Sequence, residues 1–304
     1  MDDALQAEHE ALQADPDCPP AYRTARFIGA RWSDFHQAAG IFGLPNPQRM
    51  DLTPLDRLDE AFLPDVETAR HYRFNTVLIE HRSAANRVGM GVFVAPDLVL
   101  TAAHNAEFWR MGGGASANFL RSQGVGGGPG RFHFPKTVHV ARGWVEGPSH
   151  ASDLALIRTR TPHPDFEPVD MQDHTSMALG GIAPSAPTGP LFLSAFWRKV
   201  RDRRQAFTSI HLSSGSVIEP SLRVEGRHVL ASHDAKTLPG WSGSPIYVMP
   251  KTQGPARLSG IHVHGDPEAN LFAAFTPALA EELATLGDER LINPHTWPVI
   301  WSAS

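Results

Sequence analysis

The sequence predicts a mainly β protein of two antiparallel β-barrels, with a helical N-terminal extension and a C-terminal helix. Three observations predict it. From Phe74 onward the chain falls into short runs of apolar and β-branched residues, evenly spaced between turn residues. Glycine and proline each occur 26 times in 304 residues, which favours many turns over a helical bundle. A Pro- and Gly-rich interval near 161–190 divides the runs into two halves, and short antiparallel strands in each half shed their edges by closing into barrels. The expected organisation is an extension over 1–70, a first barrel over 71–165, a connection over 166–190, a second barrel with a helix over 191–286, and a tail over 287–304.

The extension reads as helical over 2–14, where Leu5 and Leu12 stand among acids and glutamines, and over 22–39, where Phe27, Ile28, Trp32 and Phe35 follow a helical repeat. Pro45, Pro47 and Pro54 then break the chain before a further short helix over 55–69. This segment is too apolar for a disordered tail, so it is expected to pack on the body or on a regulatory partner. In the first half, strands are expected at Thr76–Ile79, Met90–Val94, Leu98–Thr101 and Thr137–Val140, and at Asp153–Ile157 beginning with an acid. The interval Gly112–Gly130 lacks the Lys-Ser/Thr pair of a phosphate loop and reads as a surface loop.

The second half gives strands at Leu191–Phe196, Ala206–Leu212, Ser216–Ile218, His228–Ala231, Ile246–Val248, Leu258–Val263 and Leu271–Phe275. A helix follows over Pro277–Leu286, with Pro at its start and Gly287 just past its end. The aromatic tail Leu291–Ser304 is expected to lie across the surface.

Composition narrows the function. A net charge of −5 argues against a phosphate-driven nucleic-acid binder. No apolar run is long enough to span a bilayer, and the acidic start Met1-Asp2-Asp3 lacks a secretory signal, so a cytoplasmic, membrane-free protein is expected. The single cysteine, Cys18, rules out an intrachain disulfide, and with no base beside it in its Pro-rich loop it reads as incidental.

The chemistry concentrates at Leu238-Pro239-Gly240-Trp241-Ser242-Gly243-Ser244-Pro245. A serine between glycines lets a substrate carbonyl approach, and the N–H groups of Gly240 and Ser242 can face a developing oxyanion. A serine hydroxyl needs a general base, and that base needs a third group to fix its tautomer. His104 after a strand and Asp153 at a strand start are the candidates. Taken singly, a histidine after a strand reads as a capped or solvated residue, and an aspartate at a strand start as a turn former.

Together, Val99-Leu100-Thr101-Ala102-Ala103-His104, Ser152-Asp153-Leu154-Ala155-Leu156 and Gly240-Trp241-Ser242-Gly243-Ser244-Pro245 resemble the three signatures of the trypsin-like (chymotrypsin-fold) serine peptidases. The order His, Asp, Ser fits that fold; an α/β-hydrolase places its histidine last and wants Gly where this chain has Ser244. The resemblance implies a double six-stranded antiparallel β-barrel and a cofactor-free serine endopeptidase acting on a polypeptide, with Ser242 as nucleophile, His104 as base and Asp153 as its orienting acid. Trp241 departs from the pattern. Trypsin-like enzymes have at that position an aspartate that pairs with a new N-terminus, so activation by that ion pair is excluded.

The resemblance is closest to the glutamyl endopeptidase branch, which has a segment like Gly260-Ile261-His262-Val263-His264-Gly265 after the nucleophile and a threonine where this chain has Thr237. It implies that Thr237 and His262 donate hydrogen bonds to a Glu or Gln before the scissile bond, while Val263, His264 and Gly265 pair with the peptide backbone. Asp266 and Glu268 nearby oppose an acidic side chain and lean the choice towards Gln or another neutral residue. Two other readings stand beside this one. His-x-His on a strand puts both rings on one face and suits zinc, although no further ligand stands at a recognisable spacing. His264 reads equally as a plain exposed strand residue. At the level of the whole chain, the alternative is a protease-like module that binds peptides without cutting, or one held silent until a partner acts on its extension.

Overall fold

The computed structural model describes residues 52–54, 75–81, 87–110, 118–122, 131–164, 166, 190–201, 204–225, 228–235, 237, 240–248, 256–265, 270–286 and 292–303. Among them, two antiparallel sheets carry the architecture. The helices expected over 2–14, 22–39 and 55–69, together with Cys18 and Gly287, lie outside the described residues.

The first sheet runs β15-β7-β8-β4-β3-β2-β5-β6, from β2 (Thr76–His81), β3 (Arg87–Ala95), β4 (Leu98–Thr101), β5 (Asn118–Ser122), β6 (Arg131–His133), β7 (Pro135–Val140), β8 (Ala155–Thr159) and β15 (Val299–Ser302). Only Phe134 separates β6 from β7. One bent stretch therefore pairs with β5 at its start and with β8 at its end, which curls the sheet round. The period-two alternation of strand side chains sorts the core. Val77, Ile79, Phe93, Val99, Leu120, Val138 and Ile157, drawn from six strands, gather into one cluster. Their neighbours Leu78, Val92, Leu98, Leu100 and Leu156 join instead the core shared with the second sheet.

The second sheet contains β9 (Pro190–Arg201), β10 (Arg204–Glu225), β11 (His228–His233), β12 (Pro245–Val248), β13 (Arg257–Gly265) and β14 (Asn270–Ala274), ordered β10-β11-β14-β13-β12-β9. The pairing of β9 with β10 closes it into a six-stranded barrel, and β1 (Leu52–Pro54) adds to β10 from outside. The mainly β double-barrel expectation holds.

Several elements differ from expectation. The Gly-rich interval after Gly112 contains β5, because Leu120 is fully buried and its strand pairs with β2. The runs Ala206–Leu212 and Ser216–Ile218 are parts of the single strand β10. The tail is not merely draped over the surface: β15 pairs with β7. Asp153 precedes β8, which begins at Ala155. Two short helices were not anticipated, α1 (Ala103–Arg110) and α2 (Arg142–Glu146). The expected C-terminal helix is α3 (Pro277–Thr285), capped by the Thr276 hydroxyl, which accepts from Leu279 N at 3.2 Å. It buries Leu279, Ala280 and Leu283. No helix among the described residues is long and apolar enough to cross a membrane.

Candidate active site

β4 and β8 are neighbours, with Thr101 opposite Ala155. His104, three residues beyond Thr101, thus emerges beside Asp153, two residues before Ala155. The turn that delivers Asp153 is a 3-10 turn, His150–Ser152, whose first N–H groups need a cap; Ser149 supplies it, accepting from Ser152 N at 3.3 Å. Both Asp153 oxygens meet the same residue. Oδ1 accepts from His104 N at 2.9 Å and Oδ2 lies 2.6 Å from His104 Nδ1. An ionised carboxylate only accepts, so Nδ1 carries the ring proton and Nε2 presents a lone pair. The carboxylate is 2% exposed and the imidazole 38%, so the acid is enclosed while the ring reaches solvent.

Ser242 stands in the turn before β12. Gly240 and Gly243 both adopt φ +90°, in the left-handed region that favours glycine. At Gly243 a side chain is also barred by space, since a Cβ there would collide with Met90 O and Thr101 Oγ1. The turn is pinned by Gly243 N donating to His262 O at 2.7 Å and Ser244 N to Trp241 O at 3.0 Å. Neither Gly240 N nor Ser242 N donates to a described residue. Trp241 is 2% exposed and sinks into the large core, anchoring the residue before the serine. Leu238 and Pro239 lie outside the described residues.

The two halves of the site are tied together by a residue the sequence did not single out. Asn105, next to His104 on α1, donates through Nδ2 to Ser242 O at 2.8 Å and to Thr101 Oγ1 at 3.1 Å. Thr101 Oγ1 in turn donates to Met90 O, and Met90 N donates to Ser242 O at 2.8 Å. The carbonyl of Ser242 is therefore held by two donors, one of them on the helix that carries His104. Gly89 makes room for the carboxamide, which a Cβ at that position would strike. An Asn directly after a histidine gives no sequence signal of such a role.

Thr237 is buried and donates its hydroxyl to Asn270 Oδ1 at 2.9 Å, while Asn270 Nδ2 donates to Ala235 O at 2.7 Å. His262 is buried, with Nδ1 3.3 Å from Nε2 of His233 on β11. Burial lowers His233 to about 3 and holds His262 well below the usual histidine value, the latter also through charge repulsion from His233, His104 and His264. Both imidazoles are neutral near pH 7. A register shift lies between His262 and His264. The two rings have different neighbours, for exposed His264 stacks on exposed His150, with centroids 4.3 Å apart. No group of three or more His, Cys, Asp or Glu among the described residues is placed to hold a metal.

β12 pairs with β13 only as far as Ile261, after which His262 N donates to Ser244 O at 2.9 Å. On that side Val263, His264 and Gly265 have no partner strand among the described residues. Val263 is itself buried. The family model of the trypsin-like peptidase domain matches residues 89–248, just over half the chain, a span that includes His104, Asp153 and Ser242. A comparison with curated proteins finds no match.

Proposed function

Because the chain belongs to the trypsin-like peptidase domain family, we infer that it is a serine endopeptidase working through Ser242, His104 and Asp153. The observation that carries this reading is the two-point contact of the Asp153 carboxylate with His104, which orients the ring and, in the neutral imidazole, puts the proton on Nδ1 and the lone pair on Nε2.

In the first step the Ser242 hydroxyl attacks the scissile carbonyl carbon while His104 Nε2 takes its proton. The oxyanion is received by the N–H groups of Gly240 and Ser242. Collapse breaks the C–N bond, with His104 returning the proton to the leaving amine, and leaves an ester on Ser242. A water deprotonated by His104 then attacks that ester, and collapse breaks the bond to Ser242 Oγ, which takes the proton back from His104 as the acid leaves. The open side of Val263–Gly265 suits a substrate backbone added as a further strand. Thr237 and His262 are the residues that would read a Glu or Gln before the scissile bond. No step needs a cofactor.

The test is Ser242→Ala. The wild-type protein is expected to cleave a peptide library and to be labelled by a serine-directed phosphonate, and the variant to do neither. Labelling that survives the substitution would refute the assignment.

A further inference from the structure

We propose that Trp241 is the positioning residue of the oxyanion turn, and that its buried indole holds the turn in catalytic form while residues 1–70 are still attached. This rests on the serine endopeptidase reading above and concerns only how that site is assembled.

The two oxyanion donors stand on either side of Trp241. Gly240 N belongs to the residue before it, and Ser242 N to the peptide that Trp241 itself begins. A trans peptide is planar, with its C=O and N–H pointing in opposite directions. Trp241 O accepts from Ser244 N at 3.0 Å, so it faces into the turn and Ser242 N–H faces out of it. The next peptide is fixed as well, because Ser242 O accepts from Met90 N and from Asn105 Nδ2, each at 2.8 Å. Ahead of Trp241, Gly240 holds φ +90°, a conformation open to glycine and strained for other residues. Rotating one of the donor peptides by half a turn would put a carbonyl oxygen where a donor is required.

Gly240 N and Ser242 N donate to no described residue, and a turn that leaves donors without protein partners needs support from elsewhere. The residue between them supplies it. Trp241 is 2% exposed and belongs to the core that both sheets share, which also holds Ala102, two residues before His104, and Leu154, next after Asp153. Withdrawing the indole so that the turn could rotate would expose a large apolar surface and leave a cavity behind. This anchor is in place as soon as the core forms. It carries no charge to be matched, so the turn waits for no cleavage that would create a new ammonium group. Of residues 1–70, the described ones form β1, which pairs with β10 and not with the turn.

The experiment treats the full chain with a serine-directed phosphonate and reads the intact mass of the labelled species. Label is expected on the chain at full mass, with residues 1–70 in place. Label found only on shortened chains overturns the proposal. Kinetics on a peptide that the wild type cleaves then compare variants. Trp241→Ala should lower kcat on the order of a hundredfold, as loss of one oxyanion donor does, with KM nearly unchanged because the substrate contacts remain. Trp241→Phe, which keeps a buried ring, should recover most of that loss. Where Trp241→Ala does not fold, Trp241→Leu takes its place, with the same fall in kcat at constant KM expected. Wild-type kcat in the folded variant, or a loss carried by KM instead, overturns the proposal. Each of these results leaves a labelled, cleaving enzyme and so defeats this inference alone. No label and no cleavage of any peptide, by whole or shortened chain, defeats the peptidase reading with it.

Discussion

Asn105 Nδ2 and the carbonyl oxygen of Ser242 lie 2.8 Å apart although 137 residues separate them in the chain. Since Asn105 follows His104 on α1, this bond ties the segment carrying His104 to the Ser242 turn. Asn105→Asp keeps the volume and turns a donor into lone pairs facing two acceptors, Ser242 O and Thr101 Oγ1. The expected result is a fall in kcat of on the order of tenfold to a hundredfold with little change in KM, because the substrate contacts remain. Gly89 sharpens the test. Gly89→Ala should be damaging in the wild-type background, where its methyl group meets the Asn105 side chain, and better tolerated alongside Asn105→Ala. Wild-type kcat in Asn105→Asp would show that the bond does not matter to turnover.

The buried histidines make stability depend on pH. His233 has its folded value lowered to about 3, below the ordinary 6.5, so between those values the unfolded chain binds a proton that the folded chain does not. The contribution is fully present above pH 6.5 and is lost as pH falls towards 3, by at most about 1.4 kcal/mol per pH unit. His262 acts in the same direction. Urea unfolding at pH 7, 6 and 5 should show declining stability, and His233→Phe should flatten the slope. A slope unchanged in that variant would assign the acid sensitivity to other groups.

A second buried charge lies away from the site. Arg158 on β8 is 1% exposed and pairs at 2.6 Å with Asp97 in the β3–β4 turn, while its Nη2 donates to Leu286 O at 2.8 Å just past α3. Removing one partner of such a pair costs more if the survivor is the enclosed one. Asp97→Ala leaves a guanidinium in the core and should cost about 3 kcal/mol. Arg158→Met leaves a carboxylate already 32% exposed and should cost less. Denaturant midpoints of the two variants check the order, and the reverse order would contradict it.

What the sequence made legible, and what it hid, follows from how far each feature reaches. β4 is predicted to the residue, because four consecutive apolar or β-branched residues between a turn and a histidine admit little else. His104, Asp153 and Ser242 each sit in a short local pattern, and the structure puts the first two in direct contact. Asn105, Asn270 and His233 carry no such pattern. Their roles arise from partners far along the chain, and an asparagine in any turn or helix looks the same until its carboxamide finds an acceptor. The strand β5 was obscured by the glycines on either side of it, although Phe119-Leu120 supplied the apolar signal. The pairing of the tail is hidden for a related reason. Val299-Ile300-Trp301 has the composition of a strand, but nothing local says that its partner is β7.

That tail gives the molecule a third covalent crossing between the sheets, after those from β1 to β2 and from β8 to β9. The chain leaves the first sheet, builds the barrel and α3, and then returns, where Ala303 N donates to Lys136 O at 2.8 Å and Arg142 N to Thr296 O at 2.9 Å. Trp297, 2% exposed, donates through Nε1 to Glu282 Oε1 on α3 at 3.0 Å, so the returning strand is also stitched to the helix it has just left. Of the three, this last crossing is held along its length, to the first sheet at Lys136 and to α3 at Glu282.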